Sequence, residues 1–148
     1  MLKGPSTAVV SAWAQLLRAQ QAVLAAVEAD IKKVGFPPLS WYDILLELSR
    51  EQNGTLRPQD LEKRVLLKQY SVSRLLDRLQ QAGYVTSEKL AEDRRGRVVT
   101  ITEAGRMLLK DMWPTYANAI ERHVGSKVDP REASSLSQLL AKLTQPSD

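Results

Sequence analysis

The side chains able to do chemistry are few, and most of them are basic. Arg94, Arg95 and Arg97 surround Gly96 in the stretch EDRRGRVVTITEAG, residues 92–105, and a β-branched run from Val98 to Thr102 follows. Guanidinium groups gathered at the tip of what reads as a β-hairpin fit a polyanion, and nucleic acid is the commonest one. Enzymatic chemistry finds no comparable cluster. Cysteine is absent and His123 is the single histidine. Disulfides, thiolate metal sites and thiol redox sensing are therefore excluded, and a zinc site would have to be built from His123 and carboxylates. Glu47 and Glu51 stand at helical spacing and read as a solvated face, and there is no glycine-rich phosphate loop. The expectation is a non-enzyme without cofactor or metal.

The location of the charge sharpens this reading. Residues 55–110 carry twelve Lys and Arg against seven Asp and Glu, whereas the rest carries nine against ten. The whole basic surplus thus sits mid-chain, where a polyanion partner or a solvated charged face would each account for it. A chain of 148 residues can bury one core, so a single domain is expected, with end helices that pack on a partner subunit. Met1-Leu2-Lys3-Gly4 does not begin a signal sequence and no apolar run of membrane-span length follows, so a soluble, cytoplasmic protein with no membrane association is expected.

The elements that must position these groups are mostly helical. From about Thr7 to Val34 apolar residues keep helical spacing, and Gly35-Phe36-Pro37-Pro38 stops the run. Ser40-Trp41-Tyr42-Asp43 matches a capping box, with Ser40 and Asp43 placed to accept from first-turn N–H groups of a second helix that ends near Asn53-Gly54. Thr55-Leu56 suffices for a token strand, and Pro58 suits the first position of a third helix reaching about Val65. In LLKQYSVSRLLDRLQQAGY, residues 66–84, Val72, Leu75, Leu76 and Leu79 form one apolar stripe and leave Gln69, Tyr70, Ser71, Ser73, Arg74, Asp77 and Arg78 on other faces, with Gly83 ending the helix. A short helix, a turn and a polar-faced helix make a helix-turn-helix candidate, and strands over 85–90 and 98–102 add a wing. Glu103 onward reads as a long helix that Pro114 should kink or break, and a last helix runs from about Pro130 to Leu143 with Asp129 as its N-cap. The fold expected is mainly α with a small β-hairpin wing, a winged helix-turn-helix over about 40–105 flanked by long dimerisation helices over about 7–36 and 107–148.

This sequence resembles the MarR (multiple antibiotic resistance regulator) family of bacterial transcription factors. The resemblance is carried by Ser71-Val72-Ser73-Arg74-Leu75-Leu76-Asp77-Arg78-Leu79 with Gly83, and by Asp93, Arg95, Thr102 and Gly105, which match the family's D-x-R wing tip and L-T-x-x-G. Ile101 replaces the usual Leu, and Lys68 stands where the family often has Ser, so the start of the recognition helix is capped differently. The resemblance covers nearly the whole chain. It implies a homodimer with intertwined end helices and two winged domains on a pseudo-palindromic operator in double-stranded DNA. Apolar stripes as long as those of 9–34 and 107–143 must be covered, by a second copy or by their own domain.

Within that frame Arg95 matches the family's inserted arginine, which enters the minor groove where the potential is most negative. Asp93 orients that guanidinium by a charge-assisted hydrogen bond and does not itself bind DNA. Arg94 and Arg97 are phosphate contacts. Gln69, Ser71, Ser73 and Arg74 are base-edge or phosphate candidates, since Gln pairs bidentately with adenine and Arg with guanine. Tyr70 stacks, donates to phosphate or packs against the wing, and Arg78 is either a backbone contact or a helix-surface ion-pair partner of Asp77. In similar proteins small aromatic effectors lie between the dimer helices and the winged domain. Trp13, Trp41, Tyr42 and Asp43 fall on the elements that would line such a pocket, the aromatics equally as core filler and Asp43 equally as a cap. With no thiol and no metal set, release by a small organic ligand is the switch expected of a dimeric repressor. The alternative function is a winged-helix protein–protein adaptor without specific DNA binding.

Overall fold

The computed structural model describes residues 3–91 and 96–147. Helix α1 is Thr7–Val34, opened by the Ser6 hydroxyl, which accepts from the Val9 N–H at 3.1 Å. It closes where Gly35 takes φ +93° and its N–H reaches the Lys32 carbonyl. A left-handed residue there followed by Pro37-Pro38 leaves the helix no way to continue. Then come α2 (Leu39–Arg50), the two-residue strand β1 (Thr55–Leu56), α3 (Pro58–Arg64) and α4 (Val72–Gln81). Strands β2 (Val85–Lys89) and β3 (Arg97–Ile101) form the wing, and α5 (Glu103–Ile120) and α6 (Pro130–Leu143) complete the order.

Main-chain contacts divide the chain into two compact units, residues 31–115 and residues 1–30 with 116–148. The first holds the winged helix-turn-helix. Its sheet has the order β1-β3-β2, all antiparallel, with Thr55 opposite Thr100 and a β2–β3 register running from Val85↔Ile101 to Lys89↔Arg97. Ile44, Leu45 and Leu48 of α2, Leu61 of α3, Leu76 and Leu79 of α4, and Val85 and Val99 of the wing are all but sealed from solvent. Three helices and a sheet therefore share one apolar interior, which holds the exposed face of α4 in a fixed attitude to the wing.

The second unit is built differently. Val9, Val10, Trp13 and Leu17 of α1 are exposed, α6 has no buried residue, and Leu136, Leu139 and Leu143 lie open on it. The junction after α5 is one π-helical turn, Glu121–Gly125, where His123 Nε2 lies 2.8 Å from Asp30 Oδ2 and Arg122 lies 3.8 Å from the same oxygen. Helix α6 starts with a capping box: Asp129 accepts from the Glu132 N–H at 2.8 Å and Glu132 accepts from the Asp129 N–H at 3.1 Å.

Four expectations are corrected. The Ser40–Asp43 capping box does not form: α2 begins two residues earlier than that box implies, at Leu39, with Pro38 at the N-cap and no side-chain cap. Gln69 and Tyr70 lie outside α4, in the turn before it, because Ser71 caps that helix by accepting from the Arg74 N–H at 3.3 Å. Of the kink or break expected at Pro114, the break does not occur: its ring removes one main-chain donor, yet α5 runs on to Ile120. Glu47 is buried rather than solvated, and bonds Arg50 at 2.9 Å, while Glu51 pairs with Arg64 of α3. Among the described residues no helix is long and apolar enough to cross a membrane.

Candidate nucleic-acid interface

Helix α4 turns its apolar stripe wholly inward. Val72, Leu75, Leu76 and Leu79 are buried, and Ser73, Arg74, Asp77 and Arg78 are consequently presented to solvent. Asp77 pairs with neither Arg74 nor Arg78 among the described residues. Both guanidiniums are thus available to an outside acceptor. Helix α4 ends in a Schellman turn: Gly83 takes φ +83° and the Tyr84 N–H reaches back to the Leu79 carbonyl at 2.9 Å.

The turn before α4 is held from three sides. Asp43, buried in α2, accepts from the N–H of Leu66 at 3.1 Å and of Leu67 at 2.8 Å. Lys68 Nζ donates to the Glu62 carbonyl at 2.6 Å. Ser71 begins α4 as its cap. Between the end of α3 and the start of α4 lies an open cavity of about 260 Å³, lined by Glu62, Val65, Lys68, Tyr70, Ser71 and Val72. Three of the predicted contact residues, Gln69, Tyr70 and Ser71, are therefore collected in one exposed turn at the head of the helix that carries Ser73, Arg74 and Arg78.

On the wing, Arg97 opens β3 and faces Lys89 directly across the hairpin, which is closed by the Leu90 N–H bonded to the Gly96 carbonyl at 2.9 Å. Asp93, Arg94 and Arg95 lie outside the described residues. Two like charges at one register position repel unless an anion lies between or above them, so the Lys89–Arg97 pair favours a bound polyanion. Lys89 was missed in the sequence because its importance comes from register alone.

Thr102 joins wing to helices. Its hydroxyl donates to the Gly83 carbonyl at 2.8 Å and accepts from the Gly105 N–H at 3.1 Å, while its own N–H reaches the Tyr84 carbonyl at 3.0 Å. A side chain on Gly105 would run into that same Tyr84 carbonyl. The T-x-x-G spacing is thus a physical joint that fixes the end of α4 against the start of α5.

The four residues considered for an effector divide between the two units. Trp13 is exposed on α1 in the second unit. Within residues 31–115, Trp41 meets Tyr84 edge-on with ring centroids 6.0 Å apart, and Tyr42 stacks on Trp113 at 6.5 Å. Burial raises the Tyr42 phenol above its usual pKa, an effect the charge of Arg50 partly offsets. Asp43 is occupied by the turn. Among the described residues no group of carboxylates and imidazole is placed to hold a metal ion.

Residues 34–96 match the family model described as the MarR family. The chain is 29% identical over 113 residues to the HTH-type transcriptional regulator YkoM of Bacillus subtilis, a match covering 76% of this chain and 71% of that one. Its fold matches that of Sco3205, a MarR family transcriptional regulator of Streptomyces coelicolor solved in complex with DNA, at TM-score 0.82 and 21% identity, over 99% of this chain and 94% of that one. It is also similar to Bordetella bronchiseptica BpsR, whose DNA binding is regulated by 6-hydroxynicotinic acid, at TM-score 0.75 and 23% identity, over 91% of this chain and 99% of that one. Residues 34–96, which run from the end of α1 through β2, are thus similar to the MarR family, and the fold of the whole chain is that of MarR family regulators.

Proposed function

We propose that the chain is a sequence-specific, DNA-binding transcriptional regulator, acting as a homodimeric repressor that a small organic ligand releases. The observation that carries this is α4: its four apolar residues are buried, and Ser73, Arg74 and Arg78 stand exposed in the segment that holds the chain's whole basic surplus. Such a helix enters the major groove. Arg74 and Ser73 contact base edges or phosphates, Arg78 contacts the backbone, and Gln69, Tyr70 and Ser71 approach from the turn. On the wing, Arg95 occupies the minor groove with Asp93 orienting it, and Arg94 and Arg97, joined by Lys89, neutralise phosphates.

Dimerisation supplies the cover that α1 and α6 lack. Val9, Val10, Trp13, Leu136, Leu139 and Leu143 are all exposed, and burying even half of such a set contributes several kcal/mol at about 1.5–3 kcal/mol per large apolar side chain. The effector is a small aromatic compound, a class supported by the BpsR likeness and by the aromatic residues Trp13, Trp41 and Tyr42; Asp43 is a further candidate to meet it. It acts by favouring a dimer whose two α4 helices no longer match the groove spacing.

The test is fluorescence anisotropy with labelled duplex DNA across a salt series, with heparin as competitor. The reading expects submicromolar binding at low salt whose logarithm falls linearly with that of salt concentration. Aromatic carboxylates and phenols added to the complex should release the DNA. No binding to any duplex at low salt would instead support a protein–protein adaptor.

A further inference from the structure

Asp43 is 6% exposed, and no Lys, Arg or His pairs with it among the described residues. Burying a carboxylate in this way is costly unless hydrogen bonds replace its water. The replacement comes from far along the chain: Oδ1 takes the Leu66 N–H and Oδ2 takes the Leu67 N–H. These two donors lie immediately beyond the last main-chain bond at the end of α3, in which the Val65 N–H reaches the Leu61 carbonyl. Each oxygen holds one of two successive peptides, so the pair is fixed in orientation as well as in place. Val65 is thereby turned inward, at 4% exposure, and Leu66 outward, at 75%. Four residues after Leu67, Ser71 caps α4.

We propose that Asp43 is a positioning residue for DNA reading: from inside α2 it sets where the helix-turn-helix turn lies, and so where α4 begins and which way its exposed face points. The proposal rests on the DNA-binding function proposed above. It makes α2 the member from which α4 is aimed. Tyr42, the preceding residue, stacks on Trp113 of α5, so a rotation of α2 against α5 carries the turn with it.

Charge counting and positioning predict opposite results for Asp43→Asn. Removing a negative charge near a polyanion should tighten binding to every duplex. Positioning predicts the reverse for the specific site alone, because the new amide nitrogen is a donor facing a donor and one of the two holds is lost. The test uses the full chain, the site it selects from a random DNA pool, and an unrelated duplex of equal length. Binding to both and thermal unfolding are measured for the natural sequence and for Asp43→Asn, and amide hydrogen exchange is followed at Leu66 and Leu67 of the natural sequence without DNA.

The expected result is a loss of about 10- to 100-fold in affinity for the selected site, the range for a hydrogen bond to a charged acceptor. Affinity for the unrelated duplex should be unchanged or higher, and the Leu66 and Leu67 amides should exchange far more slowly than in an unstructured peptide. If Asp43→Asn does not fold, Asp43→Glu, which keeps both acceptor oxygens but displaces them, should show a smaller loss of the same selectivity. Folded Asp43→Asn that binds the selected site as the natural sequence does, or Leu66 and Leu67 amides that exchange at unstructured rates, would overturn the proposal. Failure of the natural sequence to select any site would instead sink the DNA-binding function, while the exchange rates would still decide whether Asp43 holds the turn.

Discussion

Replacing Gly105 by alanine sets helix propensity against space, and the two effects predict opposite signs. Gly105 lies in the first turn of α5 without a positive φ, so alanine should gain about 1 kcal/mol there from propensity alone. Its Cβ, however, would fall on the Tyr84 carbonyl oxygen, 2.8 Å from Ile101 Cγ1 and 3.3 Å from Leu45 Cδ2. Carbon atoms in good contact stand about 3.5–4.0 Å apart, so Ile101 alone would have to retreat by roughly 0.7 Å or more. Neither neighbour is free to do so. Ile101 is paired with Val85 in the sheet, and the Tyr84 carbonyl accepts from Thr102, whose hydroxyl is bonded to Gly83 and Gly105. Overpacking of this kind costs about 1–3 kcal/mol, and weakening the Thr102–Tyr84 bond adds about 1 kcal/mol. Against the propensity gain, the net is a loss of about 1–3 kcal/mol. Urea unfolding at fixed protein concentration should register it as a midpoint lower by roughly 1 M for a slope of about 1–3 kcal/mol per molar. Gly35→Ala is the control, with φ +93° but no atom within 4 Å of the added carbon, so it carries only the left-handed strain of about 1–2 kcal/mol. A Gly105→Ala chain about 1 kcal/mol more stable than the natural one would refute the reasoning.

Three further outcomes follow from the same geometry. Sedimentation at micromolar concentration should find a dimer, and Leu139→Asp, on the exposed face of α6, should shift it toward monomer; a natural chain that sediments as a monomer contradicts the dimer. Arg95→Ala should weaken specific DNA binding by about 1–3 kcal/mol, more than Arg97→Ala does, and Asp93→Ala should partly mimic it; tighter binding by Asp93→Ala would show that it does not orient the arginine. The raised pKa of Tyr42 means that above about pH 10 the unfolded chain releases a proton that the folded chain keeps. Stability should therefore fall as pH rises through that region, and Tyr42→Phe should flatten the fall; equal slopes in an alkaline melting series would remove Tyr42 from the account.

What was legible in the sequence is what repeats locally. The stripe Val72, Leu75, Leu76, Leu79 has helical period, and all four residues are buried. Gly35 and Gly83 marked helix ends because each takes a positive φ, and Asp129 was recognisable as a cap because its partner is three residues away. What was misread depends on distant partners. Ser40-x-x-Asp43 has the spacing of a capping box, but the donors to Asp43 lie 23 and 24 residues along the chain. Glu47 and Glu51 looked like one solvated face until folding buried Glu47 and put Arg64, 13 residues along the chain, beside Glu51. The pairing of Lys89 with Arg97 is set by strand register, which neither strand's own composition fixes. The candidate interface was thus readable as a set of residue types, while the order in which they are presented came from contacts across the fold.

The central claim, that the exposed face of α4 and the wing read DNA sequence, is tested most directly by selecting bound duplexes from a random pool with the full chain. The account predicts enrichment of one inverted repeat whose half-sites are centred about one helical turn apart, roughly 34–36 Å, flanked by A·T-rich steps where the wings reach the minor groove. Enrichment of no sequence over the starting pool, from a chain shown to be folded, would contradict it.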